Sequence, residues 1–251
     1  MKSISGFTVK QLEKVVPYIE RAVPAYSKVG ESVFFSKEQF PWATHLEAHW
    51  TTIRKELDSV LERVDELPNF QDISKRQYRI ANDNRWKTYF FWAFGFRAEG
   101  NCQRCPETTA LLEKIPGLKV AFFSILAPGK HIPRHRGKHK GLIRYHLGLK
   151  VPEPADQCYI QVDDQVARWQ EGKSLIFDDT YYHEVWNNTE GYRAVLFLDI
   201  VRPMRFPLSL VNWLVCRLVA ASPIVQDARK SHDAWEKKFE ATAQRERVTE
   251  S

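Results

Sequence analysis

The sequence predicts an α+β fold, mainly β, in which helices precede a β-sandwich or jelly roll. Two observations carry this prediction. Apolar residues recur at helical spacing between residues 8 and 63. From about residue 77 the pattern changes to short apolar or alternating runs, which Gly, Pro, Asn and Asp turns separate. Many short strands that follow helices are typical of this fold class.

The N-terminal part predicts helices. The segments TVKQLEKVVPYIERAV and ATHLEAHWTTIRKELDSVLERV both show the helical period, and in the second it is carried by Leu46, Trp50, Ile53, Leu57, Val60 and Leu61. Apolar residues at this spacing form one face of a helix, which we expect to pack on a neighbouring layer.

Six runs further along the chain predict strands: TYFFWAFGF, VAFFSILA, IRYHLGLKV, CYIQV, SLIFDD and AVLFLDIV. Each is short, rich in aromatic or β-branched residues and bounded by turn residues. One helical segment, CPETTALLEKIPG, interrupts the series.

The segment PLSLVNWLVCRLVAASPIV near the C-terminus is apolar over most of its length. A membrane-spanning helix needs roughly twenty predominantly apolar residues, and Asn212, Arg217 and Pro223 count against one. We expect an amphipathic helix packed on the domain. The alternative is a helix that lies in a membrane interface through 208–225, with Trp213 and Arg217 at the headgroups. The charged tail after Asp227 is expected to fray.

The composition, with 43% hydrophobic and 13% aromatic residues, is that of a folded globular protein rather than a disordered one. A formal charge of +6 suggests acidic partners, and its size does not choose among anionic lipid, nucleic acid and a small acid. The N-terminus lacks the apolar region of a signal peptide, so we expect a reducing, cytoplasmic setting. The cysteines of the Cys102–Cys105 pair are expected to be reduced thiols.

Five ionisable residues lie at or beside predicted strands: His135, Arg144, His146, His183 and Arg193. The strand period of two places Arg144 and His146 on one face of the run LIRYHLGL. The turn NNTEG predicts that the strand of His183 and that of Arg193 pair as antiparallel neighbours. A cation close to a metal ligand suits a dicarboxylate that also chelates the metal, which points to 2-oxoglutarate.

Iron(II) oxygenases of that kind hold the metal by two histidines and one carboxylate and leave positions open for the keto acid and O2. His135 and His183 would supply the imidazoles, and Arg193 a guanidinium fork for the far carboxylate. His135-Arg136-Gly137 has a glycine where the carboxylate of an H-x-D/E pair would stand. An ion pair of Arg193 with Asp178, Asp179 or Asp199 is the alternative reading of that arginine.

The segment from Cys102 to Pro203 resembles the aspartyl/asparaginyl β-hydroxylase family of Fe(II)- and 2-oxoglutarate-dependent oxygenases. The resemblance lies in CPETTALLEKIPG, FSILAPGKHIPRHRG, IRYHLGL, WQEGKSLIFDDTYYHEVWN and YRAVLFLDIVRP. It implies a double-stranded β-helix (jelly-roll, cupin-like) core flanked by N-terminal helices and a C-terminal helix. The expected division is 1–76 for the N-terminal helical region, 77–205 for the oxygenase domain, and 206–251 for the C-terminal helix and tail.

The resemblance also implies the roles of individual residues. His135 and His183 are expected to bind Fe(II), and Arg193 the remote carboxylate of 2-oxoglutarate. Ser124, Arg144, His146 and Trp86 match positions that contact this cosubstrate. Vertebrate members also have H-x-G and manage with two protein ligands, so Gly137 is a family feature, and a Gly137→Asp variant is expected to retain iron. Asp178 and Asp179 are either partners that orient His183 or turn residues, and His131 and His139 are expected to face solvent.

Two further expectations concern chemistry and substrate. Members of the secretory pathway carry a disulfide that this chain cannot form, because Thr109 stands where the second cysteine would be. The expected substrate is the β-carbon of Asp or Asn in a protein or peptide. The alternative, suggested by similarity to lipid A and ornithine-lipid 2-hydroxylases, is the 2-carbon of a lipid acyl chain. A silent cupin-like sensor module and, more weakly, a zinc hydrolase are the other classes considered, and no nucleic-acid partner is expected.

Overall fold

The structure, a computed structural model, describes residues 17–74 and 78–249, with side chains described as far as residue 242. Eleven strands form two antiparallel sheets within this part of the chain. In chain order the strands are β1 (Phe34–Phe35), β2 (Trp86–Ala93), β3 (Phe96–Arg97), β4 (Leu118–Leu126), β5 (Lys130–His135), β6 (Leu142–Lys150), β7 (Cys158–Val162), β8 (Gln165–Arg168), β9 (Ser174–Phe177), β10 (His183–Asn187) and β11 (Arg193–Val201).

The larger sheet has the order β1-β9-β6-β11-β4-β2-β3, and the smaller one the order β5-β10-β7-β8. Both are antiparallel, and the chain crosses repeatedly between them, as it does in a jelly roll. The core is therefore the predicted double-stranded β-helix of an α+β, mainly β, fold.

Eight α-helices accompany the strands in the described chain. They are α1 (17–26), α2 (Pro41–Ala48), α3 (Trp50–Leu61), α4 (Phe70–Ile73), α5 (Glu99–Arg104), α6 (Pro106–Leu112), α7 (Leu208–Ala220) and α8 (Pro223–Thr249). The predicted helical face of α3 is buried at Ile53, Leu57 and Val60, which confirms that it packs on the core.

Two apolar cores lie on opposite faces of the larger sheet. Helical residues such as Ile53 and Leu112 pack with Tyr145 and Leu196 on the outer face. The inner face packs on the smaller sheet through an aromatic and aliphatic cluster, whose members include Phe122, Trp169, Phe177, Ile160 and Val185. Functional side chains on the inner face are therefore enclosed between the sheets.

One predicted strand pairing is wrong. Strand β10 pairs with β5 and β7, whereas β11 pairs with β4 and β6, so the strands of His183 and Arg193 belong to different sheets. The turn NNTEG carries the chain across the sandwich because each strand already has two neighbours in its own sheet. His183 and Arg193 nevertheless both face the interior.

The C-terminal tail is more ordered than expected. Helix α8 continues well past Asp227, and Trp235 and Phe239 join the outer core. The Trp235 indole N–H donates a hydrogen bond to the carbonyl of Glu66 at 2.8 Å. Apolar residues hidden in a charged segment therefore hold the helix on the domain. The division at residues 76 and 205 stays a prediction.

Candidate functional site

Two histidines face each other across the smaller sheet. His135 ends β5 and His183 begins β10, and the two residues are register partners. Their ring centroids lie 4.2 Å apart. The strand pairing therefore brings together the two imidazoles that the sequence analysis selected as metal ligands.

Backbone carbonyls determine which nitrogen of each ring is free. His135 Nδ1 lies 2.8 Å from the carbonyl oxygen of Pro133, and His183 Nδ1 lies 3.0 Å from that of Tyr181. A carbonyl oxygen only accepts, so each Nδ1 carries the proton and each Nε2 keeps its lone pair. The carbonyl of Tyr181, and not a side chain of Asp178 or Asp179, orients His183.

Both rings are neutral in this setting. Burial lowers the pKa of His135 to about 4, and burial together with the nearby His135 lowers that of His183 to about 2. A metal binds the unprotonated imidazole, so neutral rings with free Nε2 atoms are the form that a cation needs. The pair fits a metal with two protein ligands. No group of three or more His, Cys, Asp and Glu residues suited to a metal occurs within residues 17–74 and 78–249.

The carboxylate of Asp179 fills the space beside Gly137. The Gly137 amide donates to the carbonyl of Asp179 at 2.7 Å. A Cβ on residue 137 would lie 2.2 Å from Asp179 Oδ2. Burial raises the pKa of Asp179 to about 6, while Arg144, at 2.8 Å, acts in the opposite direction. An aspartate at position 137 would therefore have to displace the Asp179 carboxylate.

Arg193 is a buried cation without an anionic partner among the described residues. Its guanidinium stacks on Trp169, 4.5 Å from the ring centroid, and its Nε has no hydrogen-bond partner. The carboxylates named as alternative partners are paired elsewhere: Asp178 with Arg202, and Asp179 and Asp199 with Arg144. Burial lowers the pKa of Arg193 to about 10, so it remains charged at neutral pH.

His146 presents a second unpaired donor next to Arg193. The Trp169 indole N–H donates to His146 Nδ1 at 3.3 Å, so the proton of this neutral ring sits on Nε2. That Nε2 is buried and has no partner among the described residues. Burial and the charge of Arg193 hold the pKa of His146 well below its ordinary value. The two free donors face the same enclosed space and suit an acid.

Ser124 and Trp86 lie on the neighbouring strands of the same face. The Trp86 indole N–H donates to the Ser124 hydroxyl oxygen at 3.0 Å, which leaves the hydroxyl proton free to donate. The carbonyl of Ser124 lies 3.5 Å from an Arg193 terminal nitrogen. The structure thus places four of the predicted cosubstrate residues, Trp86, Ser124, His146 and Arg193, in one region.

Arg144 has a different environment from the other predicted cosubstrate residues. It bridges Asp179 and Asp199 and lies 4.4 Å above the ring of Phe197. The strand period correctly placed it on the inner face, opposite Asp199. Its charge is already balanced by two carboxylates, so it is not a free anion-binding group in this structure.

Sequence reasoning missed Trp169, which contacts both Arg193 and His146. The signal was present, because Trp169 opens the motif WQEGKSLIFDDTYYHEVWN. His131 is largely exposed, as expected, but lies on β5 and stacks on Trp186. His139 does not simply face solvent, since its Nε2 lies 2.7 Å from the Asn212 amide oxygen.

The cysteines agree with the expected reduced state. All four, Cys102, Cys105, Cys158 and Cys216, are free and buried. The Thr109 hydroxyl, at the position of the absent partner, donates to the carbonyl of Cys102 at 3.1 Å. A hydrogen bond thus joins the two positions that a disulfide links in other members.

The chain is similar to several known proteins. The chain is 48% identical over 230 residues to an ornithine lipid ester-linked acyl 2-hydroxylase of Rhizobium tropici, covering 92% of this chain and 82% of that protein. It is 34% identical over 167 residues to the human aspartyl/asparaginyl beta-hydroxylase, covering 64% of this chain and 21% of the human protein. A cupin domain of an XRE family regulator from Enterobacter cloacae aligns with a TM-score of 0.33 and 14% identity, over 47% of this chain and 99% of that one.

A family model supplies the remaining comparison. The sequence model described as aspartyl/asparaginyl beta-hydroxylase matches residues 47–203, which include both histidines and Arg193. This match covers more than half of the chain, and the double-stranded β-helix with its facing histidine pair is consistent with it. The chain therefore belongs to the aspartyl/asparaginyl β-hydroxylase family, a family of hydroxylases.

Proposed function

We propose that the protein is an Fe(II)- and 2-oxoglutarate-dependent dioxygenase that hydroxylates an unactivated C–H bond. The observation that carries the proposal is Arg193, a buried guanidinium with no carboxylate partner in the described chain. An unpaired buried charge is costly, so its presence indicates an anionic ligand. The neutral histidine pair in the same sandwich supplies two free Nε2 atoms for a metal.

The roles of the residues follow from their hydrogen-bonding capacity. His135 and His183 would hold iron, and Arg193 would bind the remote carboxylate of 2-oxoglutarate. The His146 Nε2–H and the Ser124 hydroxyl can donate further hydrogen bonds to this dianion. Iron with 2-oxoglutarate and O2 supplies the oxidising chemistry, and succinate and carbon dioxide are the expected co-products. The enclosing apolar core keeps water away and orients the reactants.

Arg144 would organise the substrate side of the site. It links Asp179, which fills the space beside Gly137, to Asp199 on β11. Two carboxylates hold the guanidinium in place before any ligand binds. A preorganised group of this kind positions a substrate without the cost of ordering it.

For the substrate we propose the 2-carbon of a lipid acyl chain, of the ornithine-lipid type. The support is the similarity to the Rhizobium tropici hydroxylase, which extends over 92% of this chain. A match over that share of the chain must extend beyond residue 203, where the family match ends, and through α7. The β-carbon of Asp or Asn in a peptide, which the sequence analysis placed first, is the second candidate, supported by the similarity to the human enzyme.

We also propose that α7 contacts a membrane at its inner, cytoplasmic face, as a lipid substrate requires. Leu208, Val215 and Cys216 anchor the helix on the domain. The opposite side exposes a patch made of Phe206, Leu210, Val211, Trp213 and Leu214, here called the α7 patch. Arg217 lies 5.6 Å from the Trp213 ring centroid, a pairing suited to a headgroup layer.

A crossing of the bilayer has little support within the described chain. No single described helix is long and apolar enough to span a membrane, although α7 together with the bent continuation into α8 meets the criteria of length and composition. The α7 patch is one-sided because the other side is packed on the domain. An interfacial position is therefore the arrangement that we propose.

The test is an anaerobic titration of Fe(II) and 2-oxoglutarate into the purified protein, followed by admission of O2 and a succinate assay. Ornithine lipid in detergent micelles, an Asp/Asn-containing peptide and no added substrate form the three arms. His183→Ala and Arg193→Met should abolish succinate formation, whereas exposed Arg168→Met should not. Succinate formation that is equal in His183→Ala and wild type would exclude the proposed chemistry. Stimulation by the peptide alone would select the second substrate.

A further inference from the structure

An apolar cavity of about 210 Å³ adjoins the Arg144 side of the site. Its floor is the inner face of the larger sheet, where Phe90, Phe122 and Phe197 stand in one row of β2, β4 and β11. Adjacent rings in this row have centroids 4.3 and 4.6 Å apart. Residues of α4 and of the first turns of α8 complete the walls.

The walls of the cavity are mainly apolar. Apart from Ser74, Arg144, Asp199, Arg229 and His232, the lining side chains are aromatic or aliphatic. Arg144 and Asp199 are paired with each other. A peptide side chain with an amide or carboxylate would exchange its hydrogen bonds to water for a lining that offers few polar partners. A hydrocarbon would lose none and would gain from leaving water.

Arg144 lies between the cavity and the histidine site. This residue lines the cavity and also contacts Asp179, whose carboxylate lies beside Gly137. Phe197 likewise lines the cavity, and its ring centroid is 5.0 Å from that of His146. A chain lying on the row of phenylalanines would therefore begin next to the proposed reaction centre.

One wall of the cavity belongs to α8, the helix that follows the α7 patch. Ile224, Val225 and Ala228 on α8 line the cavity, and α8 begins three residues after α7 ends. Helix α7 also contacts the loop after β5, where the Asn212 side-chain amide donates a hydrogen bond to the carbonyl of Gly141 at 2.9 Å. The α7 patch therefore lies close in the chain to one wall of the cavity, and α7 itself contacts the loop that follows His135.

We infer that this cavity binds the hydrocarbon tail of the lipid substrate, from about the third carbon onward. This inference rests on the proposed function, in which the 2-carbon of the acyl chain is hydroxylated. The 2-carbon would lie on the histidine side of Arg144, and the tail would run over Phe197, Phe122 and Phe90 towards α8. The acyl carbonyl and the headgroup then remain outside the apolar walls.

The first test measures the dependence of binding on chain length in the full-length protein. Sodium octanoate, decanoate and dodecanoate are titrated by calorimetry below their micelle concentrations. Burial of each additional methylene should raise affinity about fourfold until the cavity is filled. Equal affinities for the three chains, or no binding of any of them, would overturn the inference.

The second test fills the cavity from α8. Ala228→Trp places an indole in the cavity, and Ala234→Trp makes the same change at an exposed position of the same helix. We expect Ala228→Trp to weaken dodecanoate binding at least tenfold and Ala234→Trp to change it less than twofold. Unaltered dodecanoate binding by Ala228→Trp would place the chain elsewhere. If the near-UV circular dichroism of Ala228→Trp shows that its tertiary fold differs from wild type, Val225→Trp, one turn away on α8, replaces it in this test.

Failure of this inference can be told apart from failure of the proposed function. Succinate formation by the wild-type protein with Fe(II) and 2-oxoglutarate tests the chemistry alone. Chain-length-dependent binding without succinate would leave the cavity assignment standing and remove the proposed function. Succinate formation together with equal affinities for the three fatty acids would leave the proposed function standing and remove the cavity assignment.

Discussion

The carboxylate of Asp179 occupies the place that a side chain on Gly137 would need. Its Oδ2 lies 2.2 Å from the position of a Cβ on residue 137, and its other partner, Arg144, holds it at 2.8 Å. The H-x-G sequence therefore needs a glycine at position 137, because the carboxylate of Asp179, in the loop before β10, fills the space beside it.

This relationship predicts that Gly137→Asp destabilises the protein. A new side chain must displace Asp179 from Arg144, and overpacking of a buried site costs about 1–3 kcal/mol. Urea denaturation should show the loss, with Lys138→Ala, at an exposed neighbouring position, as the control. The double variant Gly137→Asp/Asp179→Gly should recover part of the stability. A single Gly137→Asp variant as stable as wild type would contradict the steric argument.

The unpaired charge of Arg193 predicts opposite effects on stability and on ligand binding. Without ligand, the free energy of unfolding of Arg193→Met should equal that of wild type or exceed it by about 1–3 kcal/mol. The substitution removes a buried charge that has no carboxylate partner among the described residues. Saturating 2-oxoglutarate with a metal should raise the thermal midpoint of wild type and leave that of Arg193→Met unchanged.

Arg202 provides the matched control for this experiment. It is buried like Arg193 but paired with Asp178. Arg202→Met leaves that carboxylate buried alone, so it should destabilise by about 3–5 kcal/mol. Equal destabilisation by the two substitutions would show that Arg193 has a partner in the ligand-free protein and would weaken the case for a bound acid.

The α7 patch predicts membrane binding that depends on Trp213. Vesicles that contain anionic lipid should pellet the full-length protein at low salt, and Trp213→Glu should keep most of it in the supernatant, since an aromatic anchor becomes an anion. Val166→Asp changes an exposed apolar residue on β8 and serves as the control. Pelleting that Trp213→Glu leaves unchanged would remove α7 as the contact surface.

His232 predicts a loss of stability in mild acid. The ring is buried on α8, accepts a hydrogen bond from the Asn101 amide, and lies near Arg104 and Asp233. Burial lowers its pKa to about 4 from the ordinary 6.5. The unfolded chain therefore binds a proton between these values when the folded chain does not, so stability falls as the pH drops from about 6.5 to 4.

The contribution of this single residue is on the order of 3 kcal/mol across that range. His232→Gln keeps a polar side chain that does not titrate, and its unfolding free energy should decline less between pH 6.5 and 4 than that of wild type. The unfolding free energy of the variant should still depend on pH to some extent, because other buried histidines also titrate. Identical pH profiles for wild type and variant would contradict the assignment to His232.

The sequence predicted the fold class and the face of the sheet on which several candidate site residues lie. The period of two in LIRYHLGL correctly placed Arg144 and His146 on the inner face, and the helical period correctly predicted the buried face of α3. Such patterns are local, because they follow from the direction in which successive side chains point. The roles of His135, His183 and Arg193 as ligands of iron and cosubstrate stay predictions, although the structure encloses all three between the sheets.

The tertiary structure decided what depends on partners distant in the chain. The turn NNTEG is compatible with a hairpin, but β10 and β11 join different sheets because each is already paired on both edges. The tail after Asp227 is highly charged, yet its Trp235 and Phe239 pack on an apolar surface formed by residues much earlier in the chain.

The same division applies to the site. By itself, the sequence determined which side chains are candidates for the chemistry, since histidines, arginines and a glycine at strand spacing limit the reactions that they can support. Only the tertiary structure decided that Asp179 and Asp199 neutralise Arg144, while Arg193 has no carboxylate partner among the described residues. Pairing of charges depends on distances across a folded core, and no local pattern in the sequence encodes those distances.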